Sequence, residues 1–368
     1  MPESALLEAT EHQGRARVAL SAALAAQPSH AYLFRGPRGS GKRAAARAFA
    51  AEVLAAASSD PEDARRRALL DPSPHPDLVW LAPTGAQHMV EEVRERVIRA
   101  AAYRPFEGGK RVFVIEAAEA MRDESQNALL KTLEEPPEFV HLILLSSEPA
   151  ALLETVTSRC QPVEFAPLPA EVLERELAAE GHAPEEAAAA ARLAAGDIER
   201  ARLLLSESGQ ELRADVERCL TAALEGKCAG APWNGLLNRA KAAGEDAEAV
   251  AREALEEESK AGIKRSAKDI TDGAKRAGRR RRTEILALAF ELCATWLRDL
   301  AAVASGAEEV VFNRDRLDVL RSQAQGLNAA DARGGAELVQ ETRRRLDLNV
   351  SEELALEALF FRLESLLA

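Results

Sequence analysis

The chain has 368 residues, 47% of them hydrophobic and 29% charged, with a formal net charge of −12. This composition excludes a disordered chain, and at roughly 150 residues per domain it leads us to expect two or three cores. No apolar run approaches the ~20 residues of a membrane span, and the N-terminal segment carries acids instead of a basic-then-apolar leader. We therefore expect no membrane association and a cytoplasmic location. The acidic balance argues against a surface that coats nucleic acid throughout.

From residue 1 to about 166, short apolar runs alternate with amphipathic stretches. HAYLF (30–34) ends in a glycine-rich turn and leads into an alanine-rich helical stretch over 43–57. DLVWL (77–81), RVFVIE (111–116), HLILLSS (141–147) and PVEF (162–165) read as strands, with helices expected over 87–102 and 123–134. Near-continuous apolar strands alternating with helices imply a parallel sheet covered on both faces, an α/β domain. After Pro167 the strand signals stop.

Three short helices are expected over 171–180, 184–194 and 197–205, and Gly196 suits a helix stop. A polar, charge-rich helix is expected over 210–260, followed by a strongly basic stretch over 260–282. From 285 to 368 amphipathic helix returns. Ile285, Ala289, Leu292, Trp296 and Leu300 fall on one face, and Leu354, Ala358, Phe361 and Leu366 approximately do so too. The expected organisation is an α/β domain (1–166), a three-helix unit (167–225), a basic helical connector (226–284) and a C-terminal helical domain (285–368). Cys160, Cys219, Cys228 and Cys293 lack metal-ligand spacing and read as isolated buried thiols.

Gly36-Pro-Arg-Gly39-Ser-Gly41-Lys42-Arg43 follows a strand and opens a helix. Glycines let backbone amides turn inward around a phosphate, and the helix adds its N-terminal dipole. Lys42 would bring a point charge to the β- and γ-phosphates. Where this pattern puts a Ser or Thr to hold Mg²⁺, the chain has Arg43, which offers no lone pair and repels a cation.

The second nucleotide element should be a strand ending in two acids, one for metal and one to activate water. Glu116 occupies the first place and Ala117 the second, and alanine cannot deprotonate water. Glu119, three residues on, reads as a solvated acid at a helix start. With two lesions in one site, self-contained ATP hydrolysis is not expected. ATP or ADP remains the cofactor class that Gly36, Gly39, Gly41, Lys42 and Glu116 would hold.

Several ordered motifs add to this. His30-Ala-Tyr-Leu-Phe, His75-Pro-Asp77, Asn127-Ala-Leu-Leu-Lys-Thr-Leu-Glu-Glu-Pro-Pro137 and Ser158-Arg159-Cys160 resemble the bacterial clamp-loader AAA+ family over about 1–165. The segment from Asn349 to Leu359 resembles the last helix of that family's collar. The resemblance implies a P-loop AAA+ parallel-sheet domain, a three-helix lid and a helical collar that joins subunits in a ring. It implies partners of the gamma/tau and delta types, a sliding clamp, and primer-template DNA in the assembled complex. Arg43 and Ala117 fit the member with a degenerate nucleotide site, a stator that assists ATP-driven clamp loading. Many members carry a four-cysteine zinc module after the phosphate loop. Residues 51–77 contain no cysteine, so zinc is not expected there.

By the same resemblance Arg159 is an arginine finger acting in trans at a neighbour's ATP site, and Ser147 is the polar first sensor. The guanidinium suits that task because it stays charged and presents a planar fork to phosphate oxygens. The plain alternative for Arg159 is an ion pair on its own surface. The family's second sensor would fall near Glu199 and Arg200, and neither is assigned. Lys131 is either a DNA-facing cation or a solvated lysine. The basic stretch is either a phosphate contact or a connector offsetting the acids of 246–258. Two other functions stay open: an independent ATPase of the gamma/tau motor type, and an interaction subunit that binds no nucleotide.

Overall fold

The computed structural model describes residues 4–83, 87–260, 266–346 and 351–367. The chain divides into two compact units, Met1–Leu168 and Pro169–Ala368. The first opens with α1 (Ser4–Ala9) and α2 (Gly14–Ala25). Their apolar pattern is weak in sequence, because α2 buries only Ala16 and Leu20. Then come β1 (Ala31–Arg35), α3 (Lys42–Ala55), α4 (Pro61–Leu69), β2 (Leu78–Leu81), α5 (Val90–Val93), β3 (Arg111–Ile115), α6 (Asp123–Glu134), β4 (Val140–Ser146), α7 (Glu154–Thr157) and β5 (Gln161–Glu164). The helix expected over 87–102 begins at Val90 and continues beyond α5 as a wide π-type stretch, Arg94–Arg99. Asp60 caps α4 by accepting from the Asp63 amide at 3.1 Å, and Pro61 supplies a preset first helical residue.

All five strands are parallel, in the order β2-β3-β4-β1-β5. This is the α/β sheet that the sequence implied, and with the loop after β1 it is the AAA+ arrangement. Alternate residues feed two cores. Tyr32, Phe34, Val112, Val114 and Ile143 join Phe49 of α3 on one face. Leu33, Phe113, Ile115, Leu142 and Leu144 join Leu129 and Leu133 of α6 on the other. Every residue of β3 and β4 is buried, which is why these strands read as unbroken apolar runs. Burial of each large side chain such as Phe34 or Phe49 stabilises the sheet by about 1.5–3 kcal/mol.

The described elements of the second unit are helical. They are α8 (Ala170–Ala179), α9 (Pro184–Leu193), α10 (Ile198–Leu205), α11 (Glu207–Leu224), α12 (Asn234–Lys260), α13 (Ala267–Ala304), α14 (Leu317–Gln323), α15 (Ala329–Leu346) and α16 (Glu352–Leu367), with short 3₁₀ turns between some of them. The single helix expected over 210–260 is two helices, α11 and α12. They are broken at Gly226 (φ +68°), after which Cys228 and Trp233 turn inward. By contrast, α13 runs unbroken through the boundary expected at 284/285. Ser266 and Asp269 form a reciprocal capping box at its start, and Arg279–Arg282 are good helix formers.

The Ile285-to-Leu300 face of α13 is buried as read. The face expected for α16 is not: Leu354 and Phe361 are exposed, and Leu356, Leu359, Phe360 and Leu363 are buried instead. Apolar residues lie all round this helix, so periodicity could not choose its register. Trp233 stacks on Phe360 at 6.1 Å. Lys264 and Arg265 of the basic stretch, and Asn349 and Val350 of the collar-like motif, lie outside the described residues. All four cysteines are buried and free, and burial pushes the Cys160 and Cys293 thiols up to about 12. Among the described residues no helix is long and apolar enough to cross a membrane.

Candidate functional site

Because the strands are parallel, the segments leaving β1, β3 and β4 meet at one edge of the sheet. These segments carry Gly36–Lys42, Glu116 and Ser147. The loop is tied to β4 by the Gly36 amide, which donates to the Ser146 carbonyl at 3.2 Å. A Cβ on Gly36 would lie 2.1 Å from the Phe165 carbonyl oxygen, so only glycine fits. Gly39 (φ +66°) and Gly41 (φ +86°) are left-handed, and Gly41 caps α3.

Lys42 is 8% exposed, and its ammonium donates to the Gly36 and Pro37 carbonyls at 2.6 Å each and to Ser40 Oγ at 3.3 Å. Sequence reasoning missed Gln13, whose Nε2 donates to the Ser40 and Ala166 carbonyls while its Oε1 accepts from the Ala166 amide. A buried glutamine in a polar N-terminal stretch gives no periodic signal.

Arg43 points across the site. Its Nη2 lies 2.9 Å from Asp71 Oδ2 and its Nε 3.6 Å from Glu116 Oε2. The same Glu116 oxygen accepts from the Trp80 indole at 3.0 Å. Arg47, one turn on, stacks 4.4 Å from the Trp80 ring and pairs with Asp71 at 2.8 Å. Burial pulls the Arg47 guanidinium below its ordinary value, and Asp71 opposes that. Asp71 and Trp80 were not foreseen, since each is brought to the loop by tertiary packing. His88 Nε2 donates to the Glu116 carbonyl at 2.7 Å and so fixes the turn after β3. Next to it Ala117, where a second acid would stand, has φ +50°.

Glu119 is not the solvated acid that the sequence suggested. It is half-buried, and its Oε1 accepts from the Ser147 hydroxyl at 2.6 Å and amide at 3.2 Å. Burial alone would raise its pKa, but the hydrogen bonds from Ser147 and its neighbours outweigh that and hold it below the usual carboxylate value. Ser147, the first sensor that the resemblance implies, thus engages Glu119.

The donor set does not fit a magnesium ion. Between the loop and Glu116 stands a guanidinium, which supplies positive charge and no lone pair. The glycine-shaped loop and Lys42 retain the form of a phosphate cradle.

Arg159 lies elsewhere. It lies two residues before the amino end of β5, so it stands at the opposite edge of the parallel sheet from the phosphate loop. Gln126 supports that region: it is buried, its Oε1 accepts from the Leu153 amide at 2.7 Å, and its Nε2 donates to the Met121 carbonyl. Arg159 Nη2 pairs with Glu134 at 2.6 Å and Nη1 donates to the Thr155 carbonyl at 2.8 Å, with the side chain 35% exposed. This is the surface ion pair that the plain alternative envisaged, at a place from which the chain's own loop is out of reach. Lys131 is exposed on α6. In the second unit Arg200 pairs with Glu291 of α13, while Glu199 pairs with Arg202 at 2.6 Å.

The family model for "DNA polymerase III, delta subunit" matches residues 13–169. The DNA polymerase III subunit delta' of Pseudomonas aeruginosa is 36% identical over 226 residues, which cover 57% of this chain and 67% of that protein. The subunit delta' of Bacillus subtilis is 31% identical over 193 residues, 51% of this chain and 57% of that protein. A solved structure of a gamma subunit-related protein from Thermotoga maritima aligns with 96% of this chain and 100% of that one, at 16% identity and a TM-score of 0.41. The phosphate loop, the Glu116 turn, Ser147 and Arg159 all fall inside the stretch matched by the family model, and the chain belongs to the family of DNA polymerase III delta' subunits.

Proposed function

We propose that this chain is the stator of a DNA polymerase III clamp loader, a subunit that assembles with gamma/tau-type and delta-type partners and helps them place a sliding clamp on primer-template DNA. The observation that carries this reading is Arg43 set against Glu116, with alanine in the following position. A site with a built-in cation and no water-activating acid is unsuited to hydrolysis, which leaves the chain to act on a partner's site. This disfavours an independent ATPase of the gamma/tau motor type. The position of Arg159 supports action in trans, where its planar fork would meet the phosphate oxygens of a neighbour's ATP. A second reading, a subunit that binds no nucleotide, is favoured by the hold of the loop carbonyls on Lys42.

Rings reconstituted from the full chain and candidate gamma/tau and delta subunits test the proposal. Arg159→Ala should leave assembly intact and lower hydrolysis at the one site it completes. Such fingers are worth about 10³–10⁵ in rate in other nucleotide hydrolases. Arg159→Lys should rescue poorly, because an ammonium lacks the fork geometry. Intact rings with unaltered ATPase and clamp loading would overturn the assignment. The part of ATP or ADP binding by the isolated chain that Lys42→Ala removes separates the two readings of the loop: a loss shows nucleotide at the loop, and no loss favours the reading without it.

A further inference from the structure

The second unit contains a cleft of about 570 Å³ that none of the roles above employs. Arg192 of α9, Arg200 of α10, Arg298 of α13, and Arg333 and Arg344 of α15 converge on it. Among the described residues two acids, Glu291 and Glu337, line the same space. Leu193, Ala294 and Ala336 add apolar lining.

The arginines are partly held in place. Arg298 lies 4.2 Å over the Phe312 ring, and Arg192 Nη1 donates to the Val311 carbonyl at 3.3 Å. Glu291 is shared between Arg200 and Arg343, the latter at 2.6 Å, so its charge is already matched by two guanidinium groups. Arg200 Nε is buried with no hydrogen-bond partner among the described residues. Arg333 and Arg344 are exposed on α15. Crowding five guanidinium groups around one concavity is electrostatically unfavourable unless an anion joins them.

We propose that this cleft binds a ligand carrying several phosphate charges, of triphosphate or nucleoside-triphosphate size. Three observations select that class. The five arginines exceed the two glutamates by three charges, which a di- or triphosphate matches and a single carboxylate does not. Guanidinium forks present paired donors to phosphate oxygens. The volume lies within the range typical of small-molecule sites. The cleft is distinct from the Lys42 loop: every described residue lining it belongs to the second unit. Arg200, which the sequence left unassigned beside the family's second-sensor position, thereby gains a ligand-binding role.

Calorimetric titration of the full chain with sodium triphosphate, without added metal, tests this. Saturable binding should fall about tenfold or more in the Arg333→Glu/Arg344→Glu double variant, since each lost charge-assisted bond is worth a substantial factor. Both residues are exposed, so the fold should survive, and circular dichroism checks it. Lys42→Ala should retain the binding. ATP binding more tightly than triphosphate would identify a nucleotide ligand, and equal affinity would identify the phosphates alone; either result supports the cleft. The proposal is overturned if triphosphate does not bind, if the double variant binds as well as the unaltered chain, or if Lys42→Ala abolishes binding. It is also overturned if a hexaglutamate peptide competes as strongly as triphosphate, because the cleft would then be a carboxylate site.

Discussion

Arg43 Nε lies 3.6 Å from Glu116 Oε2, so the first residue after the phosphate-loop lysine and the acid at the end of β3 are joined by a side-chain cation. In a metal-dependent site a hydroxyl and a carboxylate would share Mg²⁺ between these two positions. Here the guanidinium also reaches Asp71 at 2.9 Å, and the Glu116 oxygen is held by Trp80. Positive charge at this place is therefore part of the chain.

Two outcomes follow for nucleotide chemistry. Turnover of ATP by the isolated chain should lie far below about 1 per second, the lower end of ordinary enzymes. Any ATP or ADP binding at the loop should be insensitive to EDTA, and Arg43→Ser should make it magnesium-dependent. Fluorescence titration with and without EDTA reads this directly. Magnesium dependence in the unaltered chain would refute the replacement of metal by Arg43.

In the proposed trans role Arg159 would have to leave Glu134, its partner in a part-exposed pair at 2.6 Å. Such pairs contribute about 0–1 kcal/mol, so release is cheap. On that proposal Glu134→Gln should leave the melting temperature nearly unchanged and raise the ATPase of reconstituted rings, because Arg159 no longer exchanges partners. A fall in that activity would mean that Glu134 holds Arg159 in its working position.

The legible parts of the molecule were those with local chemistry. The glycines around Lys42, the unbroken apolar runs of β3 and β4, and the lesion at Arg43 follow from neighbouring residues. What stayed hidden depended on distant ones. Asp71 and Trp80 join Arg43 only through packing, and Gln13 reaches Ser40 and Ala166 from the far end of the unit. Glu119 read as solvated because its partner Ser147 is 28 residues away. The face of α16 was misread because a helix apolar all round carries no phase.

The pair of Glu119 and Ser147 makes a pH-dependent contribution to stability. Glu119 is held below its ordinary value in the folded chain, so its stabilising contribution is present above the unfolded value of about 4.3 and is lost as pH falls through the folded value. Ser147→Ala removes the hydroxyl donor and should destabilise the first unit by roughly 1–3 kcal/mol near neutral pH. The gap between the two proteins should close as the pH drops well below about 4. Thermal unfolding across that range checks it, and a gap independent of pH would show that the hydroxyl does not act through the carboxylate.

Close approach of α12 and α13 rests on two glycines facing each other. A Cβ on Gly278 would lie 2.7 Å from the Gly244 carbonyl oxygen, and one on Gly244 would lie 2.9 Å from the Gly278 carbonyl oxygen. Both contacts are with backbone, which cannot swing aside as a side chain can. By helix propensity alone Gly278→Ala should stabilise α13 by about 1 kcal/mol. Overpacking should prevail and cost about 1–3 kcal/mol, because the two helices must separate along their length. Gly334 of α15 is the matched control. A Cβ there would make an ordinary 3.5 Å contact with Leu366 Cδ2, so Gly334→Ala should keep its propensity gain. Urea unfolding should move in opposite directions for the two variants. If Gly278→Ala is as stable as Gly334→Ala, the helices do not depend on the glycine contact.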